Sequence, residues 1–249
     1  MTRRLLSAAV LLVALNVWGA DPWQKPYKQW DVQDVRRILN NSPWSKAIEA
    51  ELKDKKNSLE APEGAPAAAG GSTHKEAEDA EEENEKGQER ERGETEKKKD
   101  EIKFLVRWVS SRTLREASVR GQVLQGKIPE GDADKNLPPT AEDYELALVG
   151  ADMSAFNGAS ESMLRDKTYL IARKSKQKIT ATQVEIVRTA DGKRINAIVF
   201  HFPKTNATGQ PLISVDEKDL QFFSRGADLL EIKATFDVRK MVDAQGMDL

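Results

Sequence analysis

The sequence has no cysteine. This removes disulfide staples, thiolate metal ligands, thiol nucleophiles and a lipid-modified cysteine at one stroke. A domain built from it must rest on an ordinary hydrophobic core. Histidine is scarce, with two in the whole chain, His74 and His201, so no compact histidine metal centre is available. Aromatic residues make up only 6% of the chain. No basic excess exists: the net charge is −2, and a nucleic-acid partner is not expected. Long apolar runs are missing beyond the first twenty residues, so no transmembrane span is expected after that point.

What is present begins with that apolar run. Arg3 and Arg4 precede Leu5 to Val17, which is apolar but for Ser7 and Asn16, and Val17-Trp18-Gly19 fits a cleavage site. Residues 1–19 therefore read as a secretory signal peptide, too short to span a bilayer. Thr2-Arg3-Arg4-Leu5-Leu6 loosely resembles a twin-arginine signal, but the minimal basic region favours the general secretory route. The expected location is the periplasm or the extracellular space.

Three zones follow. Residues 20–53 hold Trp23, Trp30 and Trp44. Residues 54–101 are a charged tract with no Leu, Ile, Val or aromatic side chain between Leu59 and Ile102. Such a stretch cannot bury enough surface to offset its ordering entropy, so it is expected to be a disordered acidic linker. Residues 102–249 carry alternating apolar patterns and are long enough for one domain with a core.

Within the first zone, Asp31 can cap a helix that places Val35, Ile38 and Leu39 on one face. After Pro43-Trp44 the pattern fits either a second helix or a strand through Ile48, Ala50 and Leu52. The three tryptophans have two readings. They dock the segment onto the main domain, or they form a detachable interaction arm for a protein, glycan or envelope partner.

In the main domain, Phe104, Val106 and Trp108 alternate with Lys103 and Arg107 as a half-buried strand. A short helix is predicted at Thr113–Ala117, with Leu114, Ala117 and Val119 inward. Residues 126–142 are a loop rich in Gly and Pro. Tyr144, Leu146 and Leu148 mark another strand, Ser160–Asp166 a short helix, and Thr168–Arg173 a strand. Asp191-Gly192 joins residues 183–187 to 195–202 as a hairpin, because its turn needs positive φ. A second hairpin joins residues 220–223 to 229–238 through Arg225-Gly226-Ala227-Asp228. The fold class is α+β: a mainly antiparallel sheet with hairpins and a few short helices, preceded by the helical Trp-rich segment.

Trp30-x4-Val35-x3-Leu39-x2-Ser42-Pro43-Trp44 resembles the start of a group of uncharacterised exported bacterial proteins. Val106-Arg107-Trp108, Val199-Phe200-His201-Phe202-Pro203 and residues Ala234 to Met241 are similar to its later segments. The resemblance leaves out the acidic tract, which looks like an insertion. It implies export and a shared fold, and no activity or catalytic residue.

Chemistry is thin. His201 reads as a surface or edge histidine rather than a general base. No G-x-S-x-G elbow, Walker A loop or G-x-G-x-x-G loop occurs, and Gly158-Ala159-Ser160 reads as helix capping. Asp143 and Glu145 read as wet-face strand residues, and Asp132 and Asp134 as a surface loop without the EF-hand pattern. Asn206-Ala207-Thr208 fits a glycosylation sequon and reads as a loop feature. No catalytic residue, cofactor or metal is assigned. The expected function is a non-catalytic binding or structural protein of the periplasm or cell envelope. The alternatives are an Asp/Glu-dependent hydrolase and a carrier of an apolar ligand.

Overall fold

The computed structural model describes residues 21–51, 101–214, 216–226 and 230–249. The signal-peptide reading of residues 1–19 lies outside them. So does the linker reading, except for Glu101, and so does the tip of the second hairpin at 227–229.

Helix α1 (Val32–Asn40) begins where the Asp31 carboxylate accepts hydrogen bonds from the backbone N–H groups of Gln33 and Asp34 at 2.8 Å, and the Asp34 carboxylate in turn accepts from Asp31 N–H at 3.1 Å. This reciprocal capping leaves Val35 and Ile38 free to face inward. The chain then turns at Ser42-Pro43 and continues as strand β1 (Ser45–Glu51), which decides between the two readings of this stretch. It pairs antiparallel with β2 (Glu101–Trp108), from Ser45 opposite Arg107 to Glu51 opposite Glu101. Residues 52–100 thus connect two adjacent strands.

Helix α2 (Arg112–Leu124) is longer than the expected Thr113–Ala117. Gly121 is a poor helix former and hides the continuation. Its absent side chain is nevertheless useful, because a Cβ there would sit 3.4 Å from Val35 on α1. Strand β3 (Tyr144–Gly150), helix α3 (Glu161–Asp166), β4 (Tyr169–Ala172), β5 (Lys178–Thr180), β6 (Gln183–Arg188) and β7 (Ile195–Phe202) follow. Ser160 caps α3 by accepting from Met163 N–H, as its sequence suggested. The chain ends with β8 (Asp219–Arg225), β9 (Glu231–Asp237) and a short hairpin of β10 (Val242–Asp243) and β11 (Gly246–Met247).

All strand pairings among the described residues are antiparallel, in a five-stranded sheet of order β1-β2-β3-β7-β6, a four-stranded sheet β5-β4-β8-β9, and the β10–β11 pair. Fold class is therefore α+β, mainly antiparallel sheet. Period-two alternation gives each larger sheet an apolar face, and these faces meet. Phe200 touches Phe222 edge-on with centroids 5.3 Å apart, and Trp108 meets Phe236 at 5.4 Å. Both predicted hairpins form, β6–β7 and β8–β9. In the first, Gly192 takes φ +69°, the left-handed backbone that the turn requires.

Candidate functional site

The three tryptophans lie in the interior. Trp23 is 8% exposed, Trp30 2% and Trp44 0%, and all belong to the same apolar cluster as Trp108 and Phe236. Trp23 packs edge-on against Trp44 at 5.6 Å. Trp30 Nε1 donates to Pro22 O and Trp44 Nε1 to Asp248 O, each at 2.6 Å. An indole buried this way needs its N–H partnered, and both partners are backbone carbonyls. The indoles offered as an interaction arm are therefore covered by the protein itself. What the segment presents outward is the wall of a cleft.

That cleft runs between the N-terminal segment, helix α2 and the β10–β11 hairpin. It encloses about 340 Å³, with Trp23, Tyr27, Trp30, Thr113, Glu116 and Asp243 among its walls. Helix α2 is placed by its own start. Ser111 Oγ accepts from Leu114 N–H, while the buried Asp248 carboxylate accepts from Arg112 N–H at 2.7 Å and Thr113 N–H at 2.8 Å. An anion at a helix N-terminus satisfies donors that have no partner within the helix. The Asp248 carbonyl meanwhile holds Trp44, so one residue ties the N-terminal segment to α2. Asp243 grips the Arg112 guanidinium with both oxygens, Nε to Oδ2 being 2.8 Å.

Glu116 lies one turn further along α2 and is half-buried. Burial pushes its carboxyl up to about 7; Arg112 opposes this, and the negative charges of Asp243 and Asp248 add to it. No hydrogen bond or ion pair holds the Glu116 side chain among the described residues. Across the same cleft, Tyr27 donates its hydroxyl to Asp134, which also pairs with Lys28 at 2.5 Å. Burial first, and that bond second, raise the Tyr27 hydroxyl well above its ordinary range. The cleft thus offers a carboxylic acid that keeps its proton up to neutrality, aromatic edges, and fixed charges already engaged with one another.

The other candidate residues fall elsewhere. His201 sits on β7, an inner strand rather than an edge, and its side chain is 14% exposed. It lies between Glu145 (Nδ1 to Oε1, 3.7 Å) and Glu185 (Nε2 to Oε1, 3.4 Å), and its Nε2 has no hydrogen-bond partner. Sequence alternation placed it opposite Phe200 and Phe202 but could not show which strands would flank it. Asp132 pairs with Lys135, and Asp134 is the residue on Tyr27 and Lys28. Asn206 Oδ1 accepts from Thr208 and Gln210 and organises its own loop. Glu116 was missed from sequence because a lone glutamate in a helical pattern carries no signal. Only its neighbours, contributed by residues more than 80 positions away on one side and 120 on the other, make it unusual.

No family model matches the chain. No curated protein and no solved structure matches it either.

Proposed function

We propose that the protein is a non-catalytic binding protein of the periplasm or cell envelope, with the cleft beside Glu116 as its ligand site. The observation that supports this reading is a half-buried Glu116 carboxyl on the cleft wall with no hydrogen bond or ion pair among the described residues, which burial shifts up to about 7. A neutral carboxylic acid in a partly dry cleft donates a hydrogen bond to an uncharged acceptor such as an amide or sugar oxygen. The aromatic edges around it supply apolar contact. Ligands of glycan or peptide type meet both demands.

A second reading has a specific observation in its favour. A carboxyl titrating near 7 with a second carboxylate, Asp243, in the same cleft is the arrangement of a general acid with a partner base. Against it, both Asp243 oxygens are held by Arg112, which leaves that carboxylate poorly placed to take a proton from water. Binding is therefore preferred over hydrolysis.

The test is a pull-down from envelope extract with wild type, Glu116→Gln and Glu116→Leu. Retention by wild type and Gln, which both donate, with loss by Leu, is the expected result. Equal retention by all three would overturn the assignment of the site. Turnover of chromogenic glycosides or esters by wild type, abolished in Glu116→Gln, would replace binding by the hydrolytic reading. Export is tested separately by cell fractionation and N-terminal sequencing, with Ala20 expected as the first residue of the exported form.

A further inference from the structure

Helix α2 borders a second cleft on its other side. It encloses about 460 Å³ and lies against Leu39, Val109, Leu114 and Pro139, with Arg107 and Arg115 reaching into it. Both guanidiniums are bound only by uncharged oxygen. Arg107 Nε donates to Leu39 O at 2.8 Å and Nη2 to Asn40 Oδ1 at 2.9 Å. Arg115 Nη1 donates to Pro138 O at 2.7 Å, while its Nε is shut off from solvent with no partner at all. Neither arginine forms an ion pair among the described residues.

The remaining charges do not cancel this. Glu145 is the carboxylate on the cleft wall, one acid against two arginines, with His201 Nδ1 3.7 Å from it. Lys204 stands behind the wall, donating to Ala141 O at 2.9 Å. Burial lowers its pKa, and the charge of Arg115 lowers it further, while Glu145, Asp143 and Asp248 act the other way. Asp248 is already committed to the N-terminus of α2. Arg107 is itself driven below the usual arginine range by burial alone. A buried guanidinium cannot shed its proton near neutrality, so a partly dry site holding two guanidiniums without an ion pair favours an incoming anion.

We propose that this cleft binds an organic carboxylate with an apolar body. The planar guanidinium of Arg115, held by a single bond to Pro138 O, brings its charge to the cleft wall for a carboxylate, Arg107 supplies a second positive charge, and the Leu, Val and Pro walls take the hydrocarbon part. An inorganic anion would leave those walls unmatched, and a neutral apolar molecule would leave the two guanidinium charges unmatched.

The experiment is calorimetric titration of the full chain with 4-phenylbutyrate, 4-phenylbutanol and inorganic phosphate. The acid is expected to bind about tenfold or more tighter than the alcohol, and tighter than phosphate, as guanidinium charges left unmatched demand. Arg115→Met should lower the affinity for the acid by about tenfold, with Arg115→Lys in between. Ser118, exposed on α2 beside the cleft, provides a variant that spares the core: Ser118→Trp should block binding while leaving the thermal melt in place. Equal binding of acid and alcohol, equal binding of phosphate and acid, undiminished binding by Arg115→Met and Ser118→Trp, or no binding of the acid would each overturn the proposal.

Discussion

The two sides of helix α2 meet the same problem, a titratable group taken partly out of water, and answer it differently. On one side Glu116 faces an aromatic cleft with its nearest cation, Arg112, already gripped by Asp243. It answers by keeping its proton to about 7. On the other side Arg107 and Arg115 face an aliphatic cleft without an ion pair among the described residues. A guanidinium has no neutral form within reach, so it stays charged and gathers carbonyl oxygens instead. Glu116 and Arg115 are consecutive residues, and the helix turns them about 100° apart. One element therefore separates a proton-holding site from an anion-seeking one. Burial acts on the protonation state where the group can titrate, and on the ligand preference where it cannot.

The comparison depends on α2 being held in place, so the largest effect comes from breaking the anchor that both sides share. Trp44→Ala removes a fully buried indole and its bond to Asp248 O. It should cost about 3–5 kcal/mol, read as a lower midpoint in urea unfolding, and should disturb both clefts. Deleting residues 20–53 outright would take three core tryptophans with it, so loss of folding is expected there too, and binding lost on such deletion would not locate a site. Next comes Asp248→Ala, which strips the acceptor from two N–H groups at the start of α2. A loss of about 2 kcal/mol in the same measurement is expected.

The third prediction separates the two sides by pH. The Glu116 pKa is raised in the folded protein, to about 7 from an ordinary 4.5. Below 4.5 the folded and unfolded chains both hold the proton, and the favourable contribution is fully present. As pH rises from about 4.5 to about 7 the unfolded chain releases the proton while the folded one retains it, so stability falls, and above that it levels off. Glu116→Gln should abolish this slope and stabilise the protein at pH 8 by about 1–2 kcal/mol, less than full burial would give because water still reaches the carboxyl. Unfolding curves at pH 5 and pH 8 check it. A slope unchanged in the variant would mean that another group carries it. The smallest effect belongs to the arginine side. Asn40→Ala removes one exposed bond to Arg107 and should cost about 0.5 kcal/mol or less. A larger loss would mean that Arg107 depends on that bond for its place in the cleft.

Much of the fold was legible in local pattern. Strict alternation along β2 and β9 placed Phe104, Val106 and Trp108, and Ile232, Ala234 and Phe236, on buried faces. Asp31 ahead of Val35 and Ile38 announced α1 as a helix cap, and the structure adds the reciprocal bond that makes it a capping box. Asp191-Gly192 announced the β6–β7 turn. The misreadings were local signals overridden by distant ones. The helix expected at Thr113–Ala117 runs on to Leu124 through Gly121, whose missing side chain lets α1 approach. β5 was not anticipated, being three residues long with a single buried side chain, Ile179.

Of the candidate site, the sequence supplied the tryptophans but not their use. Composition singled out Trp23, Trp30 and Trp44 because only two other tryptophans, Trp18 and Trp108, occur in the chain, and no pattern in the sequence could say whether they face solvent or core. Periodicity, capping and turn chemistry act within a few residues, and these the sequence determined by itself: the α+β class, the hairpins and the inward faces. The pairing of Trp44 with Asp248, the confinement of Glu116 by Asp243, and the meeting of Arg107 with Arg115 join residues far apart in the chain. Only tertiary structure decided them, because desolvation and charge depend on which neighbours exclude water, and those neighbours are chosen by packing.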